Sequence, residues 1–270
     1  MAKAFSPANV SCIFRIIENR NKLKRHSLGI GFTVTKGAAV EVKKSKKNKI
    51  LLNNKTFRIP TLTTVRNELT PQPLTIHITA ELPFGTGFGL SGASALALAY
   101  AINKLLRLKK SKRQLAILAH QAEVINGTGL GDVGGQFNGG FMAKLKKGHP
   151  LTVKQLRIKQ KHIHYKVFSK LDTKTVITNK NKQNKINKAG EKALKKIKQL
   201  KKPTLKDVII ISKEFATNSN LLKNKRVKNL IKKIEENNGK ASMIMLGNAV
   251  FADTKFKGSK KLTITNKAAK

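Results

Sequence analysis

Hydrophobic and polar positions alternate most cleanly over Leu74–Ala80 (LTIHITA), where β-branched residues at period two predict a strand. Weaker extended patterning covers the start (AFSPANVSCIFRII within residues 1–20), Ser27–Val34, Gly37–Lys43 and Lys49–Asn53. Polar turns around Asn19–Lys24 and Lys44–Asn48 separate these segments. Thr61–Leu69 predicts a short helix stopped by Pro71 and Pro73. After Ser91 the apolar residues are almost continuous through LALAYAINKLLRL, the pattern of a buried helix. Ser111-x-x-Gln114 has the spacing of a capping box and opens a second helix that runs to Asn126. A glycine-rich loop, GTGLGDVGGQFNGG, then closes the first half.

From about residue 145 the texture changes. Leu151–Ile158, His162–Phe168 and Lys174–Thr178 pattern as strands, and Ile186–Leu200 and Asn218–Asn237 as helices. The second of these carries Leu221, Leu222, Val227, Leu230, Ile231 and Ile234 and ends at Gly239. Ala241–Phe251 is uncharged, and the residues from Lys255 onward read as a frayed end. There is no internal repeat and no long linker. The reading is an α+β chain in two packed halves, residues 1–148 and 149–270.

Composition adds an extreme. The 270 residues hold 56 Lys+Arg against 13 Asp+Glu, a formal net charge of +43, yet 40% are hydrophobic, enough to build a core. A single cysteine, Cys12, excludes a disulfide framework and a multi-cysteine zinc site. No apolar run reaches the roughly 20 residues of a bilayer-spanning helix, and MAKAFSPANV lacks a signal peptide's apolar stretch, so a cytoplasmic location with no membrane partner is expected. The charge implies non-specific attraction to nucleic acid at low salt. It lies in dispersed pairs such as Lys43-Lys44, Lys109-Lys110 and Lys232-Lys233, without interleaved aromatics and without tryptophan. That pattern fits a solvated lysine surface better than a stacking platform for bases.

Where acids are scarce, two in uncharged glycine-rich or apolar surroundings stand out, Glu123 and Asp132. Upstream of them, Gly85, Gly87 and Gly89 alternate in a loop between a strand and a helix start at Ser91-Gly92-Ala93. A strand, a glycine loop and a helix N-terminus in that order form an anion site suited to phosphate. The loop lacks both the Gly-Lys-Ser/Thr end of a Walker loop and the GxGxxG phase of a dinucleotide fold. Phosphoryl transfer needs a cation shared between protein oxygens and phosphates, and a group to accept the hydroxyl proton. Ser91 with Glu123 for Mg²⁺, and Asp132 as base, meet those needs. The plainer alternatives are glycines that allow helix–strand packing and carboxylates that cap a helix or turn.

PFGTGFGLSGASA, residues 83–95, resembles the second motif of the GHMP kinases, usually Pro-x-x-x-Gly-Leu-Gly-Ser-Ser-Ala, with Phe88 for Leu, Leu90 for the first Ser, Ser91 kept and Gly92 following. With AHQAE at Ala119–Glu123, GTGLGDV at Gly127–Val133 and SMIMLGNAVFA at Ser242–Ala252, the motifs resemble the archaeal pantoate kinase family, in order and over most of the chain. The resemblance implies a ribosomal-protein-S5-like N-terminal half packed on a ferredoxin-like C-terminal half. It implies ATP over Pro83, Gly85, Gly87, Phe88, Gly89, Leu90, Ser91, Gly92 and Ala93, with Gly247 near the phosphates. It further implies Mg²⁺ on Ser91 and Glu123, Asp132 as catalytic base, a homodimer, and conversion of (R)-pantoate to 4-phosphopantoate for coenzyme A synthesis.

Two departures bear on the acceptor. The family's Pro-Gly-His-Ile-Thr reads Pro7-Ala8-Asn9-Val10-Ser11 here, and an expected carboxylate-binding arginine falls on Lys144, which keeps the charge but not the bidentate fork. Asn9, Ser27 and Lys144 are the expected substrate contacts. The alternatives are another kinase of this superfamily, with a homoserine, mevalonate or shikimate type of acceptor, and a basic nucleic-acid-binding protein. His120 reads as a half-buried histidine, the other histidines form no ligand cluster, and Cys12, Met142, Met243 and Met245 read as core.

Overall fold

Two long strands, β1 (Ala2–Ile17) and β2 (His26–Lys44), pair antiparallel and serve both halves of the molecule. The computed structural model describes residues 1–270, apart from the side chain of Lys22. The segments expected at 27–34 and 37–43 are one strand, with a register shift where Pro7/Ala8 face residues 34–37. Gly37 permits the close approach there, since a Cβ would lie 2.0 Å from the Ser6 carbonyl oxygen. The first sheet is completed by β3 (Lys49–Leu52), β4 (Lys55–Thr56), β5 (Leu74–Ala80), β6 (Phe141–Lys144) and β7 (Lys154–Gln155). Its order is β4-β3-β5-β2-β6-β7, with β1 on β2, and it continues past residue 148. The strand expected over 151–158 shrinks to β7, because only Lys154 and Gln155 find partners, on β6.

Helix α1 (Pro60–Leu69) carries Pro60 in its first turn, where a missing N–H costs nothing, and links β3 to its parallel partner β5. Helix α2 (Leu90–Leu106) is buried from Gly92 to Ile102. Its alanines let the sheet and α3 (Lys112–Asn126) approach closely. Ser111 and Gln114 form the expected capping box on α3. The glycine-rich stretch does not stay a loop: Asp132–Asn138 is a short helix, α4. Tertiary contacts override its poor propensity. Asn138 Nδ2 donates to the Gly134 and Leu151 carbonyls (2.8 Å each), and a Cβ on Gly134 would lie 2.9 Å from the Pro150 oxygen.

The second sheet contains β8 (His162–Ser169), β9 (Ala241–Met243), β10 (Asn248–Ala252) and β11 (Lys260–Thr263), all antiparallel, in the order β11-β8-β10-β9. Counted within this sheet, the order is the 4-1-3-2 of a ferredoxin-like half, although no helix lies between β10 and β11. Helices α5 (Lys174–Ile177), α6 (Lys180–Gln199), α7 (Leu205–Asn218) and α8 (Lys225–Glu236) separate β8 from β9.

Four expectations are corrected here. Lys174–Thr178 is not a strand, because Asp172 Oδ1 accepts from the Lys174 amide and starts the turn of α5. The helix expected from 186 begins at Lys180 behind an Asn179 cap. The helix expected over 218–237 is α8, started by Asn224, and the chain before it forms a further helix, α7, opened by a capping box of Thr204 and Asp207. The C-terminus is tied down rather than frayed: Phe5 and Lys270 exchange backbone hydrogen bonds (2.8 and 2.9 Å), and Ala269 is buried.

The core joins the halves. Phe14 of β1 meets Phe215 of α7 edge-on (centroids 5.5 Å apart), and Phe32 of β2 meets Phe251 of β10 (6.0 Å). Ser212 Oγ donates to the Cys12 carbonyl (2.8 Å) and lies 2.9 Å from Ser242 Oγ, tying α7 to both sheets. The fold thereby sets the loop after β5, the start of α2 and the β9–β10 turn against one another.

Candidate active site

The loop from Glu81 to Gly89 carries β5 into α2. Gly85, Gly87 and Gly89 have φ of +75°, +90° and +59°, a region costly for any side chain. Space reinforces the choice at Gly87, where a Cβ would lie 2.7 Å from Ile244 Cγ2 and from the Met245 oxygen. Gly247, in the β9–β10 turn, presses on the same loop, because its Cβ would lie 2.0 Å from the Thr86 oxygen. The α2 N-terminus has no side-chain cap, so its first-turn amides and positive dipole end face the cleft.

That cleft encloses about 610 Å³. Of the expected nucleotide residues, Gly85, Gly87, Phe88, Gly89, Leu90 and Ser91 line it. Pro83, Gly92, Ala93 and Gly247 stand behind it. The Pro83 carbonyl accepts from Thr86 Oγ1 (2.7 Å), Ala93 is in the core, and Gly247 buttresses the loop. Gly92 makes room for Glu123, whose Oε2 would lie 2.7 Å from a Cβ at 92 and 2.4 Å from one at Gly129.

Glu123, on α3, is only 1% exposed. Thr128 Oγ1 donates to its Oε1 (3.1 Å), Thr61 Oγ1 lies 2.9 Å from Thr128 Oγ1, and Ser91 Oγ sits 3.5 Å from Thr61 Oγ1. Burial first, and then the negative charge of Asp132, push the Glu123 pKa up to about 8, while the Thr128 and Ser91 hydroxyls pull it down. Among the described residues no cation pairs with it. A buried carboxylate flanked by hydroxyl oxygens and lacking a counter-charge fits a hard divalent cation such as Mg²⁺.

Asp132 is the first residue of α4 and half-buried, with its Cγ 2.9 Å from where a Gly89 Cβ would sit. Asn9 Nδ2 (2.7 Å) and Ser11 Oγ (3.1 Å) donate to Oδ1, and among the described residues nothing donates to Oδ2. Burial raises its pKa, and those two hydrogen bonds oppose the rise. Beyond it lies a second cavity of about 60 Å³, whose walls include Asn9, Ser11, Ser27, Met142, Lys144 and Val153. Asp132 lines the large cleft, and Ser11 lines both.

Among the described residues Lys144 is the only charged side chain on the small cavity. Its Nζ donates to the carbonyls of His149 and Thr152, and burial pushes its pKa down to about 8. The three expected substrate residues therefore meet in one place, next to Asp132.

Residues 55–140 match the GHMP kinases N terminal domain. A pantoate kinase of Methanocaldococcus jannaschii is 35% identical over 259 residues, spanning 93% of this chain and 92% of its own. The chain belongs to the pantoate kinase family. A second pantoate kinase, from Methanospirillum hungatei, is 26% identical over 92% of this chain and 86% of its own. Among solved structures, one titled a phosphotransferase related to the CoA biosynthesis pathway superposes with a TM-score of 0.84 at 23% identity, covering 99% of this chain and 97% of that one. Homoserine kinase from Cytophaga hutchinsonii superposes at 0.67 and 18%, covering 100% and 96%. The α+β architecture is the GHMP kinase fold.

Several residues of this pantoate kinase family site escape a reading of motifs. Ser11 ends the divergent first motif, and its hydroxyl matters only once β1 is seen beside α4. Gln136 donates to the Gly89 carbonyl (2.8 Å) and fixes the entry to α2, a link across 47 positions with no local signal. Thr61 and Thr128 complete the hydroxyl chain to Glu123. Met142, read as core, is buried but also walls the small cavity. His120 is more buried than expected at 2% exposure, with Nε2 3.0 Å from the Arg25 oxygen, away from the cleft.

Proposed function

We propose that this chain transfers the γ-phosphoryl group of ATP to the primary hydroxyl of (R)-pantoate, giving 4-phosphopantoate and ADP for coenzyme A synthesis. The observation that carries the reading is the position of Asp132, between a glycine-lined cleft large enough for a nucleotide and a small cavity with one cation. Pantoate offers a carboxylate to Lys144, hydroxyls to Ser27 and Asn9, and geminal methyls to apolar walls such as Met142 and Val153. Its primary hydroxyl then faces Asp132.

The carboxylate would accept the proton through Oδ2 as the hydroxyl oxygen attacks the γ-phosphorus, while Asn9 and Ser11 hold Oδ1. Its raised pKa favours proton acceptance over that of a fully solvated aspartate. Amides at the start of α2 would hold the phosphates, and the exposed Ile125 with Ile59 and Pro60 offers an apolar wall to the base. Mg²⁺ held by Ser91 and Glu123 would neutralise charge on the phosphates. The reading divides labour between residues 1–148, which hold nucleotide and base, and 149–270, which buttress the loop through Gly247. It also includes a cytoplasmic homodimer: light scattering should give twice the 29.8 kDa mass of one chain, and a monomer would remove the dimer from the proposal.

The experiment is ADP release with Mg·ATP and (R)-pantoate, run beside homoserine, mevalonate and shikimate at moderate salt. Turnover with pantoate and not with the others is expected. Turnover only with another acceptor would keep the phosphotransfer but discard pantoate.

A further inference from the structure

The glycine cleft is nearly free of positive charge, although the chain carries 56 lysines and arginines. Among the described residues only Lys170 and Lys174 bring positive charge to its lining, and both come from the stretch that runs from the end of β8 into the first turn of α5. That stretch crosses from one lip of the cleft to the other. At the first lip the Leu171 amide donates to the Gly85 carbonyl (2.8 Å), and the stem of Lys170 lies along Gly85, with Cβ and Cγ 3.4 and 3.5 Å from where a glycine Cβ would sit. At the second lip the stem of Lys174 lies across Gly127, its Cγ 3.2 Å from that residue's Cβ position. Gly127 caps α3 just before Thr128, the residue that bonds Glu123.

The stretch is anchored at both ends. Asn248 Nδ2 donates to Ser169 Oγ (3.0 Å) and to the Lys170 carbonyl (3.3 Å), and Lys182 Nζ donates to the Thr175 carbonyl (3.0 Å). Asp172 spends one carboxylate oxygen on the Lys174 amide (2.9 Å). Neither Lys170 nor Lys174 has an ion-pair partner among the described residues. A cleft lined by Asp132 and Asp172 needs cations to hold a polyanion, and phosphoryl transfer concentrates charge on the phosphate oxygens.

We infer that Lys170 and Lys174 form a two-point clamp on the nucleotide polyphosphate, supplied by the C-terminal half across the glycine loop of the N-terminal half. The inference rests on the cleft being the nucleotide site. The ligand chemistry it specifies is the polyphosphate chain rather than the nucleoside, since ammonium groups pair with phosphate oxygens while Ile59, Pro60 and Ile125 give the same cleft an apolar wall. The clamp also gives the two halves a shared task, because either lysine acts only while its stretch stays docked on Gly85.

The test compares the full chain with Lys170→Gln, Lys174→Gln and the double variant. A control variant changes Lys185 and Lys188, exposed on α6, to Gln and removes the same charge elsewhere. The probes are ATP and (R)-pantoate in turnover, adenosine in direct binding, and inorganic tripolyphosphate as competitor. The expected result is a rise of about tenfold in the ATP KM for each single variant, the size of one charge-assisted hydrogen bond. Tripolyphosphate inhibition should weaken in parallel, adenosine affinity and the pantoate KM should stay within twofold, and Lys→Arg should restore much of the loss. An equal effect in the control variant would overturn the clamp in favour of general attraction. Unchanged ATP KM in the double variant would overturn it while leaving the kinase reading intact. Wild-type protein that binds neither adenosine nor ATP would overturn both.

Discussion

Replacing Glu123 by glutamine should stabilise the metal-free protein while abolishing its activity. The carboxylate is buried, and its pKa rises from an ordinary 4.5 to about 8. A group whose folded pKa lies above its unfolded one stabilises the fold fully below 4.5 and loses that contribution as pH rises through 8. At neutral pH the loss, at about 1.4 kcal/mol per pKa unit, is about 3 kcal/mol. Glutamine keeps the shape and has no proton to lose. Its added N–H lies near Gln136 Oε1, which has no partner of its own. A gain of roughly 1–3 kcal/mol is therefore expected at pH 7 and none at pH 4.5, with about 2–4 °C in Tm for each kcal/mol in a chain near this size. Thermal unfolding across pH 4.5–8, with and without Mg²⁺, checks it. Mg²⁺ should raise the wild-type Tm and leave the variant unmoved. A variant less stable than wild type at pH 7, with the same pH slope, would refute the reasoning.

Lys144→Gln should raise the pantoate KM by roughly 10–100-fold, as expected for lost charge-assisted hydrogen bonds, with a smaller change in kcat. In the wild type kcat/KM for pantoate should fall above about pH 8 as this ammonium deprotonates, and titration with a carboxylate-free analogue should lack that limb. Because the folded pKa of Lys144 lies below its usual 10.5, its contribution to stability should increase from pH 8 to 10.5, a slope that urea unfolding would show to vanish in Lys144→Gln. Asn9→Ala removes a donor that holds the Asp132 pKa down, so the acidic limb of the pH–rate profile should move to higher pH. At a charge of +43 the protein should retain duplex DNA of any sequence at about 50 mM salt and release it by about 200 mM in a filter-binding titration.

The chain announces its chemistry where local rules and function coincide. Three glycines at alternate positions, a capping box at Ser111 and a lone acid in an apolar helix are visible in one dimension: the glycines line the cleft, and the capping box starts the helix that carries the acid. What stays hidden is set by contacts across the fold. The helix at Asp132–Asn138 contradicts its glycines because Gly134 and Gly135 are needed for close approach to Pro150 and Asn9. Ser11 and Gln136 act on residues 121 and 47 positions away, and no periodicity marks such a link. In the second half, the unbroken apolar run Val208–Ile211, with Ile210 exposed, blurs the stripe of α7, and the capping box of Thr204 and Asp207 is the local signal that marks its start. The tail reads as loose by composition alone, yet its backbone bonds to Phe5 place it beside β1.

Asp132 between two cavities is the centre of the account, and Asp132→Asn tests it most directly. The variant keeps the size of the side chain but cannot accept the hydroxyl proton. Pantoate-dependent ADP release should fall by at least a hundredfold, within the range expected for loss of a general base, while ATP binding measured by calorimetry stays within a few-fold. Turnover close to wild type would contradict the account.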